Sequence, residues 1–199
     1  MFARCLSAMK DERVEASHFY NKAKVSFSEN HSLFIHAISQ ALYASKIISY
    51  AQGFMLMRSA AQEMKWTLDY GSIALMWRGG CIIRSAFLNK IKRAYDQNKK
   101  LSSLLLDPFF KSEIVKAENG WREVVKTAVG LKIPTPSLAT ALAFFDGYTS
   151  AKLPANLLQA QRDFFGAHTY ERIDRPRGQF FHTNWTGSGG NVSSSSYNV

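Results

Sequence analysis

Arg162 and His168 are the two residues whose types and spacing could do chemistry together. Arg162 shares a helical stripe with Leu158 and Phe165, four and three residues away. A guanidinium rising from an apolar stripe has three uses. It snorkels to water along its own methylenes, it pairs with a carboxylate, or it meets an anion through charge-assisted hydrogen bonds. His168 stands two residues past Gly166, which stops the helix. From there its ring can leave the helix direction and approach the same ligand. The plain alternative for His168 is an ordinary loop histidine. Residue types alone leave these uses open, and anion binding is the chemistry the pair could perform.

Other chemistries lack their residues. Gly187-Ser188-Gly189-Gly190 neither follows a strand nor opens a helix, so it fails as a dinucleotide fingerprint. No G-x-S-x-G nucleophile elbow occurs. His31 and His36 are five residues apart and do not share a helix face, so no metal site is expected. The two cysteines, Cys5 and Cys81, have neither disulfide nor metal spacing, which suits a reducing compartment. Arg58, Arg78 and Arg84 lie among apolar residues and are expected to make structural pairs or cap carbonyls. Arg172, Arg175 and Arg177 form a basic cluster expected to be solvated or to anchor on an acidic partner surface.

A formal net charge of +10 over 199 residues points to nucleic acid, an acidic membrane surface or anionic small molecules, or else to solubility alone. Nucleic acid is disfavoured, because the aromatic residues fall on apolar stripes and are not interleaved with Lys and Arg. No run of about 18 uncharged apolar residues exists, so no membrane span is expected. No secretory signal is expected either, since MFARCLSAM is followed at once by Lys10, Asp11 and Glu12.

The elements that must position Arg162 and His168 read as helices. The stretch from Ala41 to Leu88 organises them. Its apolar residues Leu42, Ile47, Tyr50, Phe54, Met57, Ala61 and Met64 recur at helical spacing, with small residues on other faces. A helix apolar or small nearly all round is covered on most sides. The pattern predicts one long helix from about Ser32 to Met64, with others packed around it. Phe2 to about His18 reads as a helix with a stripe of Phe2, Cys5, Leu6, Met9 and Val14. Residues 21–30 read as a polar connection in which Val25-Ser26-Phe27 could be a short extended piece. Asp69 is placed to cap a short helix through Met76, ended by Gly79-Gly80. A further helix is expected from Cys81 to about Asn98, with Ile82, Ala86, Ile91 and Ala94 inward. Asp107-Pro108 marks a new start. Phe109 to Ala117 and Trp121 to Val129 read as two helices. Ser137 to Phe145 follows, ended by Gly147, and Pro154 opens the last helix, Ala155 to about Phe165. Beyond Tyr170 the helical period is lost, yet Phe180, Phe181, Trp185 and Tyr197 are costly to leave in water. Such a tail is expected to dock. With no strand alternation, the expected fold is all-α, a multi-helix domain around a long central helix with an extended C-terminal tail.

Several long segments also carry a resemblance. FARCLSAMKDER, SKIISYAQGFMLMR, IALMWRGGCIIRS, QAQRDFFGAHTYER, FHTNWTG and SSSSYN resemble, in the same order, the C-terminal region of decarboxylating 6-phosphogluconate dehydrogenases. The resemblance covers essentially the whole chain. It implies a helical domain over residues 1–170 and a tail over 171–199 that docks on the partner subunit of a homodimer. In that family, the arginine and histidine of an RD-[FY]-FGAH segment bind the phosphate of 6-phosphogluconate, reaching into the neighbouring subunit's site. They match Arg162 and His168. A third substrate arginine matches Arg4. Ser194, Ser195, Ser196 and Tyr197 match a segment that approaches NADP. The family oxidises 6-phosphogluconate with NADP and decarboxylates it to ribulose 5-phosphate in the pentose phosphate pathway, which implies a cytoplasmic protein. Its dinucleotide-binding domain, with the catalytic lysine and glutamate, precedes this region. No catalytic residue is therefore expected in this chain, which reads as a fragment able to dimerise but not to catalyse alone. The other expectation is an inert module that pairs with a full-length subunit.

Overall fold

The computed structural model describes residues 2–20, 25–28, 30–185 and 187. The chain forms two compact units, Met1–Asp146 and Gly147–Val199. The helices are α1 (Phe2–Ala8), α2 (Lys10–Tyr20), α3 (His31–Glu63), α4 (Tyr70–Met76), α5 (Leu88–Gln97), α6 (Pro108–Gly130), α7 (Pro136–Tyr148) and α8 (Ala155–Gly166). A 3-10 turn spans Leu104–Leu106, and two short strands, β1 (Tyr170–Glu171) and β2 (Phe180–Phe181), follow α8. The all-α expectation holds, with one strand pair that the sequence pattern did not announce.

The first unit is built on α3 against α6. Asn30 caps α3 by accepting a hydrogen bond from the Leu33 amide. No proline interrupts the following 33 residues. Asp107 caps α6 through the amides of Phe109 and Phe110, and Pro108 occupies the first turn, where no amide is needed. The packed face of α3 is largely small: Ala37, Ala41, Ala44, Ser45 and Ala51 are buried with Ile47, Ile48 and Phe54. Small residues let the two backbones approach. Tyr43 donates to Glu113 Oε2 across the pair at 3.1 Å, and Gln40 Nε2 donates to the Lys116 carbonyl. Trp121 of α6 is fully buried and donates its indole N–H to the Leu138 carbonyl of α7. Around α3, the rings of Tyr50, Phe54, Trp77, Phe87 and Tyr95 contact one another edge-on or tilted.

Several expected boundaries are corrected. The helix expected over Phe2 to His18 is two helices, and the side chain of Arg13 takes the Leu6 carbonyl at the break. None of α2 is buried, and Cys5, Met9 and Val14 of the expected stripe are exposed. The helix expected from Cys81 starts only at Leu88. The preceding residues make turns, with Arg84 N–H on the Cys81 carbonyl and Leu88 N–H on the Ser85 carbonyl. Ile82 is fully exposed and Ala86 is exposed, while Ile91 and Ala94 are buried as expected. The two helices expected over 109–129 are one, α6. Gly120 does not break it but lies against α3: a Cβ there would stand 3.1 Å from the Ala37 α-carbon. Nor is α3 covered on most sides. Ile35, Ile38, Leu42 and Leu56 are exposed, so the real core face is the alanine-rich one.

In the second unit, α8 ends at Gly166 with Ala167 as a left-handed C-cap at φ 50°. The strands pair antiparallel, Tyr170 opposite Phe181 and Glu171 opposite Phe180. The turn between them is held by Glu171, which accepts from the Gly178 amide and pairs with Arg177.

Candidate anion site at the end of the last helix

Helix α8 and the loop after it place Arg162 and His168. The segment from Ala155 to Tyr170 carries only two formal charges, Arg162 and Asp163, and they take opposite environments. Arg162 is exposed, with Leu158 and Phe165 exposed on the same stripe. Its Nη1 donates to Gln159 Oε1 at 3.3 Å, and it has no carboxylate partner among the described residues. Of the three uses the sequence left open, pairing with an acid of the described chain is therefore not the one adopted.

Gln159 ties this arginine to the histidine loop. Its Nε2 donates to the carbonyls of His168, at 3.4 Å, and Thr169, at 2.5 Å. His168 is half-buried and sits between two residues with left-handed backbones, Ala167 at φ 50° and Thr169 at φ 55°. Such conformations cost of order 1 to 3 kcal/mol each and persist where surrounding structure enforces them. Gly166 provides the seat for the ring: a Cβ at that position would stand 2.9 Å from His168 Nε2. Glycine here does more than stop the helix.

Asp163 is the residue that the sequence reading missed. It is fully buried and accepts from four donors: the Thr169 amide, the Thr183 amide, the Trp185 indole and the His182 ring. Burial raises its pKa, but the Thr183 amide, His182 and the Trp185 indole outweigh burial and hold the carboxyl below its ordinary value. The sequence signal was a lone acid in an otherwise nearly uncharged helix. The tail thus docks in part on its own α8, through Trp185.

Arg4 lies on α1 in the first unit and is exposed. Ser194, Ser195, Ser196 and Tyr197 lie outside the described residues. Arg172 pairs with Asp174 and Arg177 with Glu171, so two of the three tail arginines serve the tail itself. Arg78 donates to Asn89, whereas the buried Nε of Arg58 has no hydrogen-bond partner among the described residues. Among the described residues no three His, Cys, Asp or Glu gather as a metal-ligand set, and no helix is long and apolar enough to cross a membrane.

The arrangement is an exposed guanidinium tied through Gln159 to the backbone of the His168 loop, with the nearby acid buried and fully engaged, and a guanidinium so placed has the chemistry to receive an anion. Comparison with known proteins places the chain in a family. The family model of the 6-phosphogluconate dehydrogenase C-terminal domain matches residues 1–185. The chain is 61% identical over 200 residues to the decarboxylating 6-phosphogluconate dehydrogenase of Ovis aries, and 62% identical over 201 residues to that of Drosophila melanogaster. These alignments cover 100% and 99% of this chain but 41% of each relative, so the chain spans about two fifths of their length. A solved structure of Plasmodium falciparum 6-phosphogluconate dehydrogenase, studied apo, with its cofactor NADP+ and with its substrate 6-phosphogluconate, superposes with a TM-score of 0.86 at 43% identity. That match covers 92% of this chain and 39% of the other. This chain therefore belongs to the 6-phosphogluconate dehydrogenase family and corresponds to its C-terminal part.

Proposed function

We propose that this chain supplies the substrate-phosphate-binding and dimer-forming part of an NADP-dependent decarboxylating 6-phosphogluconate dehydrogenase. The observation that carries the reading is the exposed Arg162, without a carboxylate partner among the described residues and tied through Gln159 to the His168 loop. Arg162 offers the phosphate two parallel charge-assisted hydrogen bonds, His168 adds a ring N–H, and Arg4 adds a further guanidinium. Holding the phosphate positions the remote end of the sugar acid for reaction. Remote binding energy of this kind lowers the barrier without touching the reacting atoms. NADP, when bound, accepts the hydride as the sugar acid is oxidised. Oxidation and decarboxylation then give ribulose 5-phosphate in the pentose phosphate pathway, in the cytoplasm. The acid–base residues belong to the part of the enzyme that this region follows in the family.

A homodimer is supported by apolar surface left uncovered in each unit: Ile35, Ile38, Leu42 and Leu56 on α3, and Leu157, Leu158, Phe164 and Phe165 on α8. The same surfaces favour a second reading, an interaction module that pairs with a full-length subunit and does no chemistry.

The test is NADP reduction with 6-phosphogluconate, by this chain alone and after mixing with a separately made N-terminal half. Silence alone and activity on mixing supports the first reading. Silence in both, with co-purification of a full-length subunit, supports the module. Activity of the chain alone overturns both.

A further inference from the structure

We infer that Asp163 is the positioning residue of this anion site, a buried carboxylate that orders the His168 loop and the segment 182–185 as one body. The inference rests on the reading of Arg162 and His168 as phosphate ligands. Its basis is the division of labour between two oxygens. Oδ1 accepts from the Thr169 amide at 3.0 Å and meets His182 Nδ1 at 2.9 Å. Oδ2 accepts from the Thr183 amide at 3.0 Å and from Trp185 Nε1 at 2.9 Å. Three separate pieces of chain meet on one side chain: α8, which carries Asp163 and Arg162, the loop that presents His168, and the segment beyond β2.

The Thr169 amide is the first one after His168, at a residue held at φ 55°. Its bond to Oδ1 fixes the backbone immediately beyond the imidazole. The carboxylate cannot turn about its own axis to improve contacts on one oxygen without losing them on the other. Ordering of Thr183 and Trp185 on Oδ2 therefore presets the acceptor that His168's loop needs on Oδ1. Only a carboxylate serves. Its two oxygens are pure acceptors, while an amide would aim an NH2 group at a backbone N–H donor whichever way it is turned, Thr169 on one side or Thr183 on the other. In a fully buried position that mismatch has no water to relieve it.

Asp163 does not touch the anion. It acts through the backbone on either side, and loss of any donor to it is felt at the others. Trp185→Phe isolates this coupling, because it removes one donor to Oδ2 and substitutes no residue of α8, of the His168 loop or among the donors to Oδ1.

The experiment uses this chain, labelled for nuclear magnetic resonance on its amides and histidine rings, with 6-phosphogluconate as the probe. For Trp185→Phe the expected result is faster hydrogen exchange at both Thr183 and Thr169, by about tenfold or more, with unchanged far-ultraviolet circular dichroism. The His168 ring signal shifts, and the dissociation constant for 6-phosphogluconate rises about tenfold. Asp163→Asn gives the same changes, larger. The inference is overturned if Trp185→Phe speeds exchange at Thr183 alone and leaves the His168 signal and the affinity as they were. If both amides respond but 6-phosphogluconate never moves the wild-type His168 signal, the coupling stands and the phosphate-ligand reading fails.

Discussion

The imidazole of His168 lies against the bare α-carbon of Gly166: a methyl group there would stand 2.9 Å from Nε2 and 3.0 Å from Cδ2. The ring is therefore placed by the absence of a side chain on the last residue of α8. Gly166→Ala should separate two effects. Alanine favours a helical position by about 0.5 to 1 kcal/mol over glycine, so thermal stability should hold or rise slightly. The ring must move, so the dissociation constant for 6-phosphogluconate should rise about tenfold, as expected for one misplaced charge-assisted contact. Calorimetric melting and titration on the same variant check both halves. Unchanged affinity would mean that the ring position seen here is not the binding one.

Arg162 should not tolerate its nearest replacement. Lysine keeps the charge but loses the planar fork and the bond to Gln159 Oε1. Arg162→Lys should raise the dissociation constant for 6-phosphogluconate by about ten- to a hundredfold with little change in melting temperature, since the side chain is exposed. Arg172→Lys is the control. Its guanidinium is engaged by Asp174, so affinity should stay within about twofold. Equal losses in the two variants would point to general positive charge as the source of binding.

What the sequence made legible was local. The uninterrupted run of α3, the cap at Asp69 and the helix start at Asp107-Pro108 depend on residues near one another in the chain, and all three were readable. The same holds for Gly166 as the end of α8. What escaped depends on partners distant in the chain. Leu42 has the right spacing to be core, yet the buried face of α3 is chosen by α6, whose backbone needs alanines opposite it. Asp163 escaped because its donors come from residues 6, 19, 20 and 22 positions later. The strands β1 and β2 are two residues long, too short for any alternation to show.

Gly120, within the single helix α6, carries a prediction of its own. It lies between the two helices expected over 109–129, yet inside α6 a Cβ there would stand 2.0 Å from Gln40 Oε1 and 3.1 Å from the Ala37 α-carbon. The glutamine end can swing away. The α3 backbone cannot move without disturbing its packed alanines. Gly120→Ala gains up to about 1 kcal/mol of helix propensity. It should lose about 1 to 3 kcal/mol from overpacking, leaving a net destabilisation. Denaturant unfolding followed by Trp121 fluorescence would show it. A variant more stable than the parent would mean that α3 and α6 can part at no cost.

Acid should release the second unit's loop and tail through Asp163. The carboxyl lies below its ordinary value of 3.8 in the folded chain, because bonds from the Thr183 amide, His182 and Trp185 overcome the opposing effect of burial. A group with a depressed folded pKa contributes stability that is complete above its unfolded value and is lost as pH falls through the folded one. Protection of the Thr169 and Thr183 amides should therefore be full above about pH 5 and fall together below 3.8. Asp174 is also held below 3.8 by Arg172, but it is exposed and touches neither amide, so Asp174→Asn should leave the transition in place. Asp163→Asn should remove it, because the amide has no proton to gain. Hydrogen exchange at a series of acidic pH values reads the two amides separately, after correction for the intrinsic pH dependence of exchange. Loss of protection at Thr183 well before Thr169 would show that the two segments are held independently. A shared midpoint that survives Asp163→Asn would place the acid-sensitive group elsewhere.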